Sequence, residues 1–78
     1  MDHLQKFLRK LDAKTRARLL DVIAALAQGK LQHLDTKPLQ GRKGWFRCRV
    51  GDIRIIFLRT KGGKTMIYDV GFRGEVYK

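Results

Sequence analysis

Arg47, Arg49 and Arg54 are the residues of this 78-residue chain best placed to do chemistry. In Trp45-Phe46-Arg47-Cys48-Arg49-Val50 apolar and basic side chains alternate with the period of two that marks a strand. If Phe46, Cys48 and Val50 face a core, Arg47 and Arg49 stand side by side on the other face. Gly51-Asp52 reads as a tight hairpin turn. In the return run, Ile53, Ile55 and Phe57 form the matching inward set, so Arg54 joins the arginines on the outer face. Guanidinium groups on neighbouring strands repel one another unless an anion lies between them, and their planar fork of donors suits phosphate oxygens. Arg73, just past the last strand, is placed to join from the sheet edge, and Tyr77 offers an aromatic plane. Basic groups beside an aromatic ring are how unpaired RNA is held. Arg42, Lys43 and Trp45, at the head of the first arginine strand, are read as further RNA-binding residues.

The bulk composition agrees with an anionic partner. Eighteen Lys and Arg against seven Asp and Glu leave a net charge of +11. Such an excess on a small surface attracts polyanions: nucleic acid first, an acidic protein segment second, an anionic membrane third. The plainer alternative is charge kept for solubility. The length fits one domain over residues 1–78, whose small core gains stability from a bound partner.

Other chemistries find no support. No Cys/His constellation has metal-ligand spacing, and no P-loop or dinucleotide fingerprint is present, so neither metal nor cofactor is expected. The sole glutamate, Glu75, has no obvious carboxylate partner for acid–base work, and nothing suggests a Ser-His-Asp arrangement. Cys48 alternates inward as a small core residue, and His3 and His33 read as surface residues. A single cysteine cannot form an internal disulfide, no apolar run reaches the length of a membrane span, and the start lacks signal-peptide features. Together these point to the cytoplasm and to no membrane.

The elements that must carry the arginines follow from periodicity. Leu4, Phe7, Leu8 and Leu11 lie on one face of a helix over residues 2–11. Asp12 is an N-cap for a second helix over 13–28, where Leu19, Leu20, Ile23, Leu26 and Ala27 recur at helical spacing and Gly29 is the stop. Lys6, Arg9, Lys10, Lys14, Arg16 and Arg18 form a solvated face on this helix hairpin. Residues 30–44 are a connector with Leu31, Leu34 and Leu39 as apolar plugs, Pro38 and Gly41 ruling out a long regular element. A turn at Lys61-Gly62-Gly63-Lys64 leads into a third strand from Thr65 to Gly71. The expected fold is α+β: an N-terminal helix hairpin packed on a three-stranded antiparallel sheet.

The order of these pieces has a familiar look. A helix hairpin is followed by the Arg47-Cys48-Arg49 pair, the return strand Gly51-Asp52-Ile53-Arg54-Ile55-Ile56-Phe57, and the ending Val70-Gly71-Phe72-Arg73-Gly74-Glu75-Val76-Tyr77. Over almost its whole length the chain resembles the RelE toxins of the RelE/ParE superfamily, the toxic halves of prokaryotic toxin–antitoxin pairs. The resemblance implies a metal-independent endoribonuclease that enters the A site of the 70S ribosome. There the 2′-hydroxyl of the mRNA attacks the adjacent phosphate, leaving a cyclic phosphate and a free 5′-hydroxyl. Carried over by position, Arg47 and Arg49 bind the scissile phosphate, Arg49 near the attacking hydroxyl. Arg54 stabilises the pentacoordinate phosphate, Arg73 sits by the leaving oxygen, and Tyr77 stacks on or orients a base. The resemblance also implies a cognate antitoxin, acidic and partly disordered, that folds over the basic surface.

Two departures from the family pattern carry consequences. The family often has Lys where this chain has Arg47 and Arg49. Arginine, with a pKa above about 12, is a poor general base, so rate must come from positioning and charge, and cleavage off the ribosome is expected to be slow. Family members also usually open with a strand before the first helix, whereas here Met1 leads straight into a helix, so that strand's neighbour is expected to be an exposed edge. The rival readings are a ParE-like DNA gyrase inhibitor without nuclease activity, a non-catalytic RNA- or ribosome-binding module, and a decayed toxin. An enzyme should lose activity with Arg73→Ala while keeping ribosome affinity; a binder should lose a little affinity with every basic change.

Overall fold

A computed structural model of the protein describes residues 2–72. Helix α1 spans Asp2–Arg9 and helix α2 Ala13–Ala27. Asp12 sits between them with extended backbone, and its carboxylate accepts the Thr15 amide at 3.3 Å. The Thr15 hydrogen bond holds the Asp12 carboxyl below its usual value. At the other end of α2 the Gly29 amide reaches the Leu26 carbonyl and the Lys30 amide the Ala25 carbonyl, with Gly29 at φ 75°. That left-handed closure satisfies the carbonyls left open at the helix end. The end of α1 is closed differently. Arg16 folds back from α2 and donates from Nε to the Leu8 carbonyl at 3.0 Å and from Nη2 to the Leu11 carbonyl at 2.7 Å. Arg16 is therefore half-buried and structural, not part of the solvated face that the sequence suggests.

The sheet is an antiparallel meander, in the order β1 (Asp35–Pro38), β2 (Trp45–Val50), β3 (Ile53–Arg59) and β4 (Thr65–Phe72). The α+β class is as expected, but the sheet has four strands among the described residues instead of three. The additional strand lies inside the connector and pairs Asp35 with Arg49 through Pro38 with Phe46. Pro38 does not forbid it, because β1 is short and at the sheet edge, where a residue without an N–H is tolerated.

Both helices lie on one side of the sheet and pack mainly on β4. Phe7 meets Phe72 with ring centroids 5.1 Å apart, the Thr65 hydroxyl donates to the Leu26 carbonyl at 2.8 Å, and His3 Nε2 lies 2.9 Å from the Val70 carbonyl oxygen. The core joins Phe7, Leu11, Leu19 and Leu26 from the helices to Cys48, Val50, Ile53, Ile55, Phe57 and Val70 from the sheet. Each large side chain so buried contributes about 1.5–3 kcal/mol relative to exposure. Phe46 packs beneath its cross-strand partner Phe57, rings stacked at 5.5 Å. Of the inward set read from alternation, Cys48, Val50, Ile53, Ile55 and Phe57 are buried and Phe46 is half-buried against them. Leu20 and Ala27 are the exceptions on α2: both are exposed, Leu20 by 45%, because Leu19, Val22, Ile23 and Leu26 already fill the stripe that faces the sheet.

Candidate functional site

With Cys48, Ile53 and Ile55 taken into the core, the residues between them must face the other way. Arg47, Arg49 and Arg54 are all half-buried on that outer face. The register sets their arrangement. Arg49 stands directly opposite Arg54 across the β2–β3 hairpin, and Arg47 stands opposite Ile56. On the β1 side Arg47 faces Lys37 and Arg49 faces Asp35; on the β4 side Arg54 faces Gly71, which presents no side chain.

The register sets Arg49 and Arg54, two like charges, directly across from one another. Like charges directly opposite in a sheet destabilise it. Asp35 relieves Arg49 only slightly: Nε lies 3.9 Å from Oδ2, too long for a hydrogen bond, and both side chains are partly exposed. Nη1 of Arg47 and Nε of Arg49 are buried atoms that meet no hydrogen-bond acceptor among the described residues. A buried donor without an acceptor costs about 1–3 kcal/mol. The row therefore holds charge and N–H donors where an oxyanion would satisfy both.

The face continues into an aromatic end. Trp45, two residues before Arg47, packs with Leu39 and Ile56 in a small apolar cluster separate from the main core. Leu39 is thus a plug for the outer face, while Leu31 and Leu34 pack against the core beneath the sheet. Tyr68 meets the Trp45 ring at right angles, 81° between planes and 4.9 Å between centroids. The Arg42 guanidinium lies 5.7 Å from the Trp45 ring centroid, within cation–π range. Lys43 is exposed in the loop before β2. Arg42, Trp45, Arg47, Arg49 and Arg54 therefore share one surface, while Arg73 and Tyr77 lie outside the described residues.

Directly behind the row, Cys48 is buried, and burial followed by the nearby Asp35 carboxylate pushes its thiol up to about 11 against the opposing pull of Arg47. A thiol so protonated is not a nucleophile. No group of three or more His, Cys, Asp or Glu side chains among the described residues could hold a metal, and no described helix is long and apolar enough to cross a membrane. The available chemistry is recognition of an anion and stabilisation of charge that grows on it.

Three neighbours of the row escape the sequence reading. Asp35 and Lys37 belong to a strand that carries no apolar alternation to announce it. Tyr68 does carry a signal, since it falls two residues after the exposed Met66 on the same strand.

Comparison with known proteins bears on the whole chain. A sequence model of the ParE toxin of the type II toxin–antitoxin system parDE matches residues 1–77. No curated protein matches the chain. Among solved structures, a RelB–RelE antitoxin–toxin complex from Methanococcus jannaschii contains a chain 24% identical, aligned over 92% of this chain and 86% of that one with a TM-score of 0.70. An archaeal RelE–RelB complex from Pyrococcus horikoshii OT3 contains one 25% identical over 90% and 85%, also with a TM-score of 0.70.

Proposed function

The chain belongs to the ParE toxin family of type II toxin–antitoxin systems, within the RelE/ParE superfamily, and from that premise we propose that it is a metal-independent endoribonuclease acting on mRNA in the ribosomal A site. The observation that carries this reading is the register pairing Arg49 with Arg54 beside Arg47, with buried N–H groups of Arg47 and Arg49 awaiting an acceptor. Opposed arginines with open N–H donors are suited to grip a phosphate, which the nuclease reading requires.

In this mechanism Arg47 and Arg49 grip the scissile phosphate, Arg49 beside the 2′-hydroxyl. That hydroxyl attacks the phosphorus as its proton passes to solvent water, the bond to the 5′-oxygen breaks, and that oxygen takes up a proton from water, so that a cyclic phosphate and a free 5′-hydroxyl result. Arg54 stabilises the charge on the pentacoordinate phosphate. Arg73 serves the leaving oxygen, and Tyr77 orients a base. None of the arginines is a competent general base at neutral pH, so the row contributes positioning and charge, and cleavage depends on the ribosome to align the RNA. Arg42, Lys43 and Trp45 extend the RNA contact from the loop side.

A toxin of this kind works against an antitoxin. The two similar archaeal toxins are each seen in complex with RelB. For this chain, with a net charge of +11, the fitting partner is an acidic segment that orders itself over the arginine face and so blocks RNA.

A second reading is favoured by the matching family model, whose description is of ParE: inhibition of DNA gyrase. The two are separated by one pair of assays. The nuclease reading expects mRNA cut within A-site codons in a purified translation system, with 5′-hydroxyl ends and undiminished by EDTA at levels that spare the ribosome. Intact mRNA together with loss of gyrase supercoiling would establish the second reading.

A further inference from the structure

Strand β4 carries an irregularity next to the arginine row. Ile56 pairs with Asp69 and Phe57 with Ile67, so Tyr68 has no cross-strand partner and forms a β-bulge. Bulges re-aim side chains and gather beside functional sites. Here the bulged residue is 66% exposed, and its neighbour Met66 is 59% exposed. A large aromatic left this open loses the gain of burial, yet Tyr68 is not loose: its ring is held at 81° against Trp45, which is anchored by Leu39 and Ile56 and flanked by the Arg42 guanidinium. The result is an exposed aromatic ring, fixed in orientation, at one end of a row of cations.

We infer that Tyr68, braced by Trp45, is a stacking platform for an unpaired nucleobase of the RNA whose phosphates lie on Arg47, Arg49 and Arg54. This deepens the nuclease reading and rests on its claim that the face binds RNA. The spacing suits it. Trp45, Arg47 and Arg49 are alternate residues on one strand face, about 7 Å apart in turn, so a chain laid along β2 passes from aromatic to cation without a break. Aromatic planes beside a basic track are the general means of holding single strands without reading their sequence. A protein segment is a poorer occupant, because the exposed ring stands beside a strip of cations whose buried donors call for oxyanions at close intervals.

The test uses the whole protein and binding alone, so that it does not depend on cleavage. The probes are a short unpaired RNA with 2′-O-methyl riboses, which cannot be cut, and inorganic polyphosphate, which has charge but no bases; a poly-glutamate peptide is the protein-like control. The wild type is expected to prefer the RNA. Tyr68→Ala should weaken RNA binding by roughly five-fold or more, the span of one missing base stack, and leave polyphosphate binding unchanged. Tyr68→Phe, which keeps the ring, should bind both as the wild type does. Because Tyr68 is exposed, both variants are expected to melt as the wild type. Equal RNA affinity for Tyr68→Ala and wild type, equal losses on both probes, or no wild-type preference for RNA would each overturn the inference. So would a Tyr68→Ala loss confined to a poly-glutamate peptide, which would assign the ring to a protein partner. Arg49→Gln separates the two claims. If it weakens both probes while Tyr68→Ala weakens neither, only the platform fails; if it weakens neither, the RNA-binding face itself is wrong.

Discussion

Arg49 and Arg54 occupy directly opposed positions on β2 and β3, two guanidinium groups on one sheet face with Arg47 a strand step away. Like charges directly across a ladder oppose one another. With open N–H donors on Arg47 and Arg49 beside it, the pair is suited to hold an anion, and stability and function should therefore respond differently to its loss.

Arg49→Gln removes one of the opposed charges and keeps a hydrogen-bonding side chain. Its thermal midpoint should equal or exceed that of the wild type, because the ion pair to Asp35 that it removes is a weak one. Its affinity for single-stranded RNA should fall, and the salt dependence of that affinity should flatten by roughly 0.7 in log–log slope, the share of one phosphate that the variant leaves unneutralised. Calorimetry and binding titrations over a range of salt concentrations check both halves; a variant that melts lower and binds as before would contradict this reading of the row.

The helix stripe gives a contrast within α2. Leu26→Ala empties a fully buried position and should cost about 2–5 kcal/mol in urea unfolding. Leu20→Ala, at a position that is 45% exposed, should stay within about 0.5 kcal/mol of the wild type. Comparable losses would mean that the helix packs on the sheet by a different face.

The difference between Leu20 and Leu26 shows where sequence reading runs out. Helical spacing assigns both to an apolar stripe, but only packing against β4 decides which edge of the stripe is covered. Where apolar and basic residues strictly alternate, from Phe46 to Val50 and from Ile53 to Ile55, alternation settles the orientation of the side chains, and the placement of Arg47, Arg49 and Arg54 follows from it. Asp12 and Gly29 were equally legible, because capping is local chemistry. Strand β1 was not: Asp35-Thr36-Lys37-Pro38 has no apolar pattern, and its pairing rests on backbone groups at a sheet edge. Nor was the bulge at Tyr68, which shifts the parity of β4 so that Ile67 and Val70 both reach the core side although they are three residues apart.

Gly44 fixes the approach of the loop to Trp45. It has φ 85°, its carbonyl accepts the Arg59 amide at 2.8 Å, and a Cβ there would lie 3.3 Å from the Arg59 carbonyl oxygen. Gly44→Ala should therefore destabilise by about 1–2 kcal/mol from the left-handed backbone alone, with the close approach adding to it. The change should also disturb Trp45 fluorescence. An unchanged emission spectrum and unfolding midpoint would show that the loop accommodates the methyl by moving away from β3.

Cys48 supplies a pH prediction. Its thiol has an ordinary value of 9.0 and is pushed up to about 11 in the folded chain, so folding favours the protonated form. The sign follows: the contribution is full below about 9 and is lost as pH rises through about 11, where the unfolded chain has already released the proton. Wild-type stability should fall over that window more steeply than that of Cys48→Val, which cannot ionise. At pH 8, iodoacetamide should label Cys48 only as fast as the protein opens. Rapid labelling of the native protein would mean that the thiol is not sealed behind the arginine row.

Whether the arginine face cuts RNA by holding phosphate is decided by mapping mRNA ends in a purified translation system. Wild type, Arg54→Ala and Arg73→Ala should be compared at equal ribosome occupancy, measured by co-sedimentation. Expected are cuts inside A-site codons for the wild type, at least a hundred-fold slower cutting for Arg54→Ala, about the loss of one transition-state donor, and ribosome binding retained by both variants. Intact mRNA with folded, ribosome-bound wild-type protein, or cutting by Arg54→Ala at the wild-type rate, would contradict the nuclease reading.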